Sequence, residues 1–104
     1  MKIRKLNRRG LKEFIESDEF EKMPHIPISR HRAYSQINNP RLKENDILLL
    51  ISYHDGEMSG YLGALPDDIL INNLNEHCAW MSCIWINPKM RGRNIAYTLV
   101  SEAL

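Results

Sequence analysis

From Met1 to Leu6, basic residues alternate with Ile3 and Leu6, the period of a short edge strand. Beyond Asn7 the period lengthens. Leu11, Phe14 and Ile15 fall on one helical face and Lys12, Glu13 and Glu16 on the other, so an amphipathic helix is expected to reach about Ser17 or slightly further, stopped by Pro24 and Pro27. Ser29 is placed to cap a second helix over residues 30–37, which Asn38, Asn39 and Pro40 end. This part of the chain reads as an α-hairpin.

Strand character returns at Ile47. The aliphatic run to Tyr53, the Asp55-Gly56 pair and the arm from Met58 to Leu65 predict a hairpin on a two-residue turn. Its expected register pairs Tyr53 with Met58, Ile51 with Gly60 and Leu48 with Gly63, the glycines marking close approaches. Pro66, Asp67 and Asp68 are expected to break the strand, and Asn72, Asn73 and Asn75 to form a polar loop. Ala79 to Ile86 is apolar at every other position on both faces, which predicts a central strand covered on both sides, with Trp80 and Trp85 on opposite faces. After Asn87 and Pro88, a basic turn from Lys89 to Arg93 leads into a helix over residues 94–104. There Ile95, Leu99 and Ala103 form one apolar stripe and Ala96, Val100 and Leu104 the next. No Gly, Asn or Pro closes that helix, so a single partial domain over residues 1–104 is expected, with its C-terminal part missing.

Composition narrows the function classes. With 104 residues, 43% hydrophobic and 26% charged, the chain fits one folded domain able to bury about 65% of its unfolded surface. Fourteen Lys and Arg against 13 Asp and Glu leave a net charge of +1, which excludes a bulk electrostatic function. The basic start (Lys2, Arg4, Lys5, Arg8, Arg9, Lys12) is followed at once by Glu13, Glu16, Asp18, Glu19 and Glu21, so a mixed-sign surface is expected and no nucleic-acid partner. No apolar segment suits a signal peptide or membrane span, and a cytoplasmic location is expected. Cys78 and Cys83 are expected on opposite faces of one strand, where they cannot pair, which points to a reducing setting. The four histidines share no ligand spacing, so no metal is expected.

The chemistry concentrates between Ile84 and Ala96, where a buried strand, a basic turn and a helix start follow one another. The first N–H groups of such a helix lack intrahelical partners and face a positive dipole end, which suits an anion such as a pyrophosphate. Gly92 admits a phosphate close to the backbone and Ala96 keeps the helix start narrow. Arg91 and Arg93 add planar donors, and Lys89 a point charge. An ordinary strand-to-helix connection with solvated arginines has the same pattern. Tyr97 reads as packing or surface.

Hydrophobic-x-hydrophobic-x-Pro followed by Arg-Gly-x-x-Ile-Ala resembles the acyl-CoA binding motif of the GNAT acyltransferases, Arg/Gln-x-x-Gly-x-Gly/Ala with its preceding strand. The element order and the Gly-Tyr-Leu-Gly arm agree with the first half of that family's domain. The resemblance implies an α/β (α+β) fold: a mixed, mainly antiparallel sheet flanked by helices. It implies transfer of an acyl group, commonly acetyl, from acetyl-CoA to an amine of a small molecule or protein. Ile84, Trp85 and Ile86 would meet the acyl and pantetheine part, and Arg91, Gly92, Arg93, Asn94, Ile95 and Ala96 the pyrophosphate. Asn94 stands where the family usually has its second glycine, and Asn is the non-Gly residue that best accepts unusual backbone angles. Glu76 or His77 is a candidate base; no catalytic acid is named, since the family draws it from the part beyond residue 104. The alternative is a non-catalytic GNAT-like fragment that works as an interaction module, with homodimerisation expected through an uncovered Ile95, Leu99 and Ala103 face and a sheet edge.

Overall fold

The computed structural model describes residues 1–103. The elements run β1 (Lys2–Leu6), α1 (Arg8–Ile15), α2 (Asp18–Lys22), α3 (Arg30–Ile37), β2 (Leu49–His54), β3 (Glu57–Ile71), β4 (Leu74–Ile86), a 3-10 turn (Pro88–Met90) and α4 (Ile95–Ala103). The four strands form one sheet in the order β1-β2-β3-β4, every neighbouring pair antiparallel. This is the expected mixed α/β architecture, with α1–α3 packed on one face and α4 on the other.

Local chemistry sets most boundaries. Asn7, Ser17 and Ser29 each accept a backbone N–H of the following turn and so start α1, α2 and α3. The Ser17 cap splits the single helix expected before Pro24 into two. Asp55 and Gly56 both have positive φ, as a two-residue hairpin turn requires.

Two apolar clusters sandwich the sheet. Leu11, Phe14 and Ile15 of α1, Ala33 and Ile37 of α3, and Leu49 and Ile51 of β2 form the larger one, with Tyr53, Met58 and Tyr61 packed against it. Leu50, Leu62, Met90, Ile95 and Leu99 form the other, beneath α4. The face of Ile95, Leu99 and Ala103 is therefore not uncovered as expected: Ile95 and Leu99 are buried and Ala103 alone is exposed. Leu104 lies outside the described residues.

The largest departure from the sequence reading is the β3–β4 hairpin. Pro66, Asp67 and Asp68 do not break the strand; β3 runs through them to Ile71, and Asn72 and Asn73, both at positive φ, form the turn. Pro66 is tolerated because β2 has ended by Leu49↔Gly63, leaving that edge of β3 free. The side chain of Asn39 donates to the Pro66 carbonyl from that side. The expected glycine pairings also shift by one. Tyr53 does oppose Met58, but Ser52 opposes Gly60 and Leu49 opposes Gly63, because Ser59 is an extra residue bulged out of β3.

A second bulge, in β4, corrects the facing of its aromatics. Leu62 pairs with Ile84 and Ala64 with Met81, so β4 uses three steps where β3 uses two. Trp80 and Trp85 consequently oppose Leu65 and Tyr61, two residues of equal parity, and share one face of the sheet. Cys83 meets Arg32 of α3 on that face too, and Cys78 opposes Asp67 there. The cysteines are free; five strand residues, about 16 Å, keep them apart and not opposite facing. Nor is β4 covered on both sides: Trp80, Met81 and Ile84 are exposed, and among the described residues its outer edge pairs with no strand.

Candidate functional site

At the end of β4 the chain must turn sharply to start α4 on the opposite face of the sheet. Asn87, 8% exposed, organises that turn. Its backbone N–H donates to the carbonyl of bulged Ser59 at 2.8 Å, and its Nδ2 donates to the Met58 carbonyl at 3.2 Å and to Glu57 Oε1 at 3.3 Å. Its Oδ1 accepts the Lys89 N–H at 3.0 Å, capping the 3-10 turn. The bulge of one hairpin thus anchors the exit of the next strand.

Past Met90, which is buried under α4, the backbone turns twice through the left-handed region, at Gly92 (φ 89°) and Asn94 (φ 56°). Asn94 supports a conformation that costs most L-residues roughly 1–2 kcal/mol. The first helical bond of α4 runs from the Thr98 N–H to the Asn94 carbonyl at 3.0 Å, which leaves the N–H groups of Ile95, Ala96 and Tyr97 outside the helix ladder. Apart from its chain neighbours, nothing among the described residues lies within 4 Å of the position a Cβ on Gly92 would take, so the turn has open space above its backbone.

These features line a groove of about 660 Å³. Ile84, Trp85 and Ile86 form its strand side, and Arg91, Gly92, Asn94, Ile95 and Ala96 its turn and helix side. Eight of the nine residues singled out from the sequence are thereby brought together. Arg93 is exposed beside the groove but is not part of its wall. Met90 and Tyr97 complete the lining; an apolar residue in an otherwise basic turn was the signal for Met90, whereas Tyr97, 76% exposed, carried none. Lys89 turns the other way, its Nζ 3.8 Å from Glu57.

A second cleft, of about 590 Å³, opens on the α1–α3 face of the sheet. Met23, Pro24 and His25 from the loop between α2 and α3, Tyr53 and Met58 from the β2–β3 hairpin, and Trp85 wall it. Trp85 belongs to both hollows. Its ring lies beside Tyr61, its cross-strand partner, with centroids 5.8 Å apart, and the His25 ring stacks on it at 4.3 Å, tilted 22°.

Glu76 and His77 sit seven or more residues from Ile84 along an extended strand, about 23 Å away. Both ring nitrogens of His77 are occupied, Nδ1 by Asp68 and Nε2 by Asp46, each at 2.7 Å. The Asp68 carboxylate first, and Asp46 with it, raises the His77 pKa and favours its cation. The arrangement ties the hairpin arm to the loop before β2 and makes neither residue a base for the groove. Two of the six N-terminal cations are likewise engaged: Arg4 pairs with Glu19 at 3.0 Å and Lys5 with Glu102 of α4 at 2.9 Å.

The sequence profile of the acetyltransferase (GNAT) family matches residues 11–104. The chain belongs to the GNAT acetyltransferase family. Solved structures of similar fold include an aminoglycoside N-acetyltransferase in complex with CoA (17% identity, TM-score 0.55, covering 98% of this chain and 66% of that one). A ribosomal-protein-alanine N-acetyltransferase from Brucella melitensis is similar at 16% identity and TM-score 0.55, over 98% of this chain and 68% of that one. A Bacillus halodurans protein is similar at 9% identity and TM-score 0.58, over 98% of this chain and 72% of that one. The chain thus spans about two thirds of the length of the first of these structures. No curated protein is similar enough to the chain to count as a match.

Proposed function

We propose that this chain carries the acyl-CoA site of an N-acyltransferase that moves an acetyl group from acetyl-CoA to an amine. The observation that carries the reading is the turn from Arg91 to Asn94. It opens beside the edge of β4 and delivers three N–H groups outside the helix ladder, at the positive end of α4, to the groove of Ile84–Ile86. Acetyl-CoA, when bound, supplies an acyl group activated as a thioester.

The residues of this chain bind and orient it. The N–H groups of Ile95, Ala96 and Tyr97 suit the pyrophosphate, and the open space over Gly92 admits it to the backbone. Arg91, in the groove wall, adds a planar charged donor, and Arg93 adds charge from outside the wall. The exposed edge of β4 at Ile84 to Ile86 offers main-chain donors and acceptors to the amide-bearing arm of CoA. Trp85 lines both hollows, so the second cleft adjoins the strand side of the groove, where the acyl group would sit.

Calorimetric titration of acetyl-CoA, with adenosine triphosphate as the comparison, tests the site. Saturable binding that prefers acetyl-CoA in the native chain, lost at least tenfold in Arg91→Glu with an unchanged thermal midpoint, is expected. Equal affinity of the variant overturns the assignment.

A further inference from the structure

If the groove holds acyl-CoA as proposed above, the cleft that shares Trp85 with it is the hollow from which an amine would meet the acyl group, and the walls of that cleft would select among amines. Their apolar part is aromatic and sulfur-bearing: His25, Tyr53, Trp85, Met23 and Met58. Their charged part balances, Glu19 and Glu57 against Lys22 and Lys89, and both carboxylates already have cationic neighbours, Arg4 for Glu19 and Lys89 for Glu57. A polycationic amine would meet no surplus of carboxylate there. A flat ring would meet a stack already in place. Tyr61 and Trp85 lie side by side on the sheet, and His25, an exposed residue, stacks over Trp85 at 4.3 Å and lies 5.9 Å from the Tyr61 ring.

We propose that the acceptor is a monoamine carrying a flat aromatic group, which packs on the Trp85–His25 stack within the cleft and points its amine toward the Trp85 end of the acyl-CoA groove. On transfer the nitrogen would bond to the acyl carbon as the carbon–sulfur bond breaks, the proton it loses ending on the CoA thiol.

Binding of the amine alone tests this. With the 104-residue chain, 2-phenylethylamine is expected to titrate saturably, hexylamine at least fivefold more weakly, and spermidine without saturation. His25→Ala, an exposed position, is expected to weaken 2-phenylethylamine at least fivefold and leave acetyl-CoA binding alone. Lys22→Glu should raise the affinity for spermidine. Spermidine binding tighter than 2-phenylethylamine, absence of saturable 2-phenylethylamine binding, or an unchanged affinity in His25→Ala overturns the proposal. The acetyl-CoA titration of the same sample reads separately whether the cofactor assignment stands.

Discussion

Gly63 of β3 faces Ser82 of β4 so closely that a Cβ on the glycine would lie 2.5 Å from Ser82 Oγ. The bulge that puts Trp80 and Trp85 on one face brings Ser82 over Gly63. Gly60, three residues back along β3, is closed in by backbone: its Cβ would lie 2.8 Å from the Trp85 carbonyl oxygen and 3.1 Å from Ile95. A hydroxyl can rotate away and a carbonyl in a ladder cannot. Gly60→Ala is therefore expected to cost about 1–3 kcal/mol, and Gly63→Ala less, with most of the smaller loss recovered in a Ser82→Ala background. Urea denaturation of the three variants measures this; equal costs at both glycines would contradict it.

Asn94 and Gly92 set the entry to α4 through positive φ. Replacing Asn94 by Gly removes the left-handed cost and leaves the turn in place, so acetyl-CoA affinity should be unchanged or tighter. Asn94→Val should lower stability by about 1–2 kcal/mol and weaken binding. Parallel thermal melts and titrations check both; a tenfold loss in Asn94→Gly would mean that the side chain itself touches the ligand.

Asn87 ties bulged Ser59 to the turn before α4 through three donated bonds and two accepted ones. Asn87→Ala removes the side-chain contacts and leaves the Met58 carbonyl short of a donor, at about 1–3 kcal/mol. It should also weaken acetyl-CoA more than Ser59→Ala does, because the turn carrying Arg91 loses its anchor. A variant that melts earlier and binds normally would separate the two effects.

The His77 tie predicts a pH dependence of stability. Its folded pKa is raised above the ordinary histidine value by Asp68 and then Asp46, so its contribution is fully present below about pH 6.5 and is lost as pH rises through the folded value. The difference in thermal midpoint between native chain and His77→Gln should be largest near pH 5.5 and shrink toward pH 9. A constant difference would show that protonation is not what holds the arm.

Residues whose role is set by near neighbours in sequence were legible. Ser29 as a cap and Asp55-Gly56 as a turn needed nothing beyond their own chemistry, Asn94 stood out at unusual backbone angles once the resemblance put a glycine at its place, and the basic turn between strand and helix marked most of the groove. The rest depended on distant partners. Pro66 reads as a strand breaker unless it is known that β2 stops short of it and that Asn39 takes its carbonyl. The bulge at Ser82 and Cys83 leaves no mark in an apolar run, so strict alternation placed Trp80 and Trp85 on opposite faces and hid the cleft that Trp85 helps to wall. His77 looked like a candidate base because nothing nearby in sequence announces Asp46.

The placement of β1 has a consequence for how the chain assembles. β2, β3 and β4 form a meander in which each strand meets its predecessor across a two-residue turn, so those pairings need only short loops to close. β1 pairs with β2 from the far side of three helices, Leu6 opposite Leu49. Its docking requires a long closure whose entropy is repaid only when α1 also lays Leu11, Phe14 and Ile15 on the sheet. Loop-closure entropy therefore favours an assembly in which the strands that carry the groove zip from neighbour to neighbour, while the docking of β1 and of the helices that wall the aromatic cleft is the expected slow, non-local step.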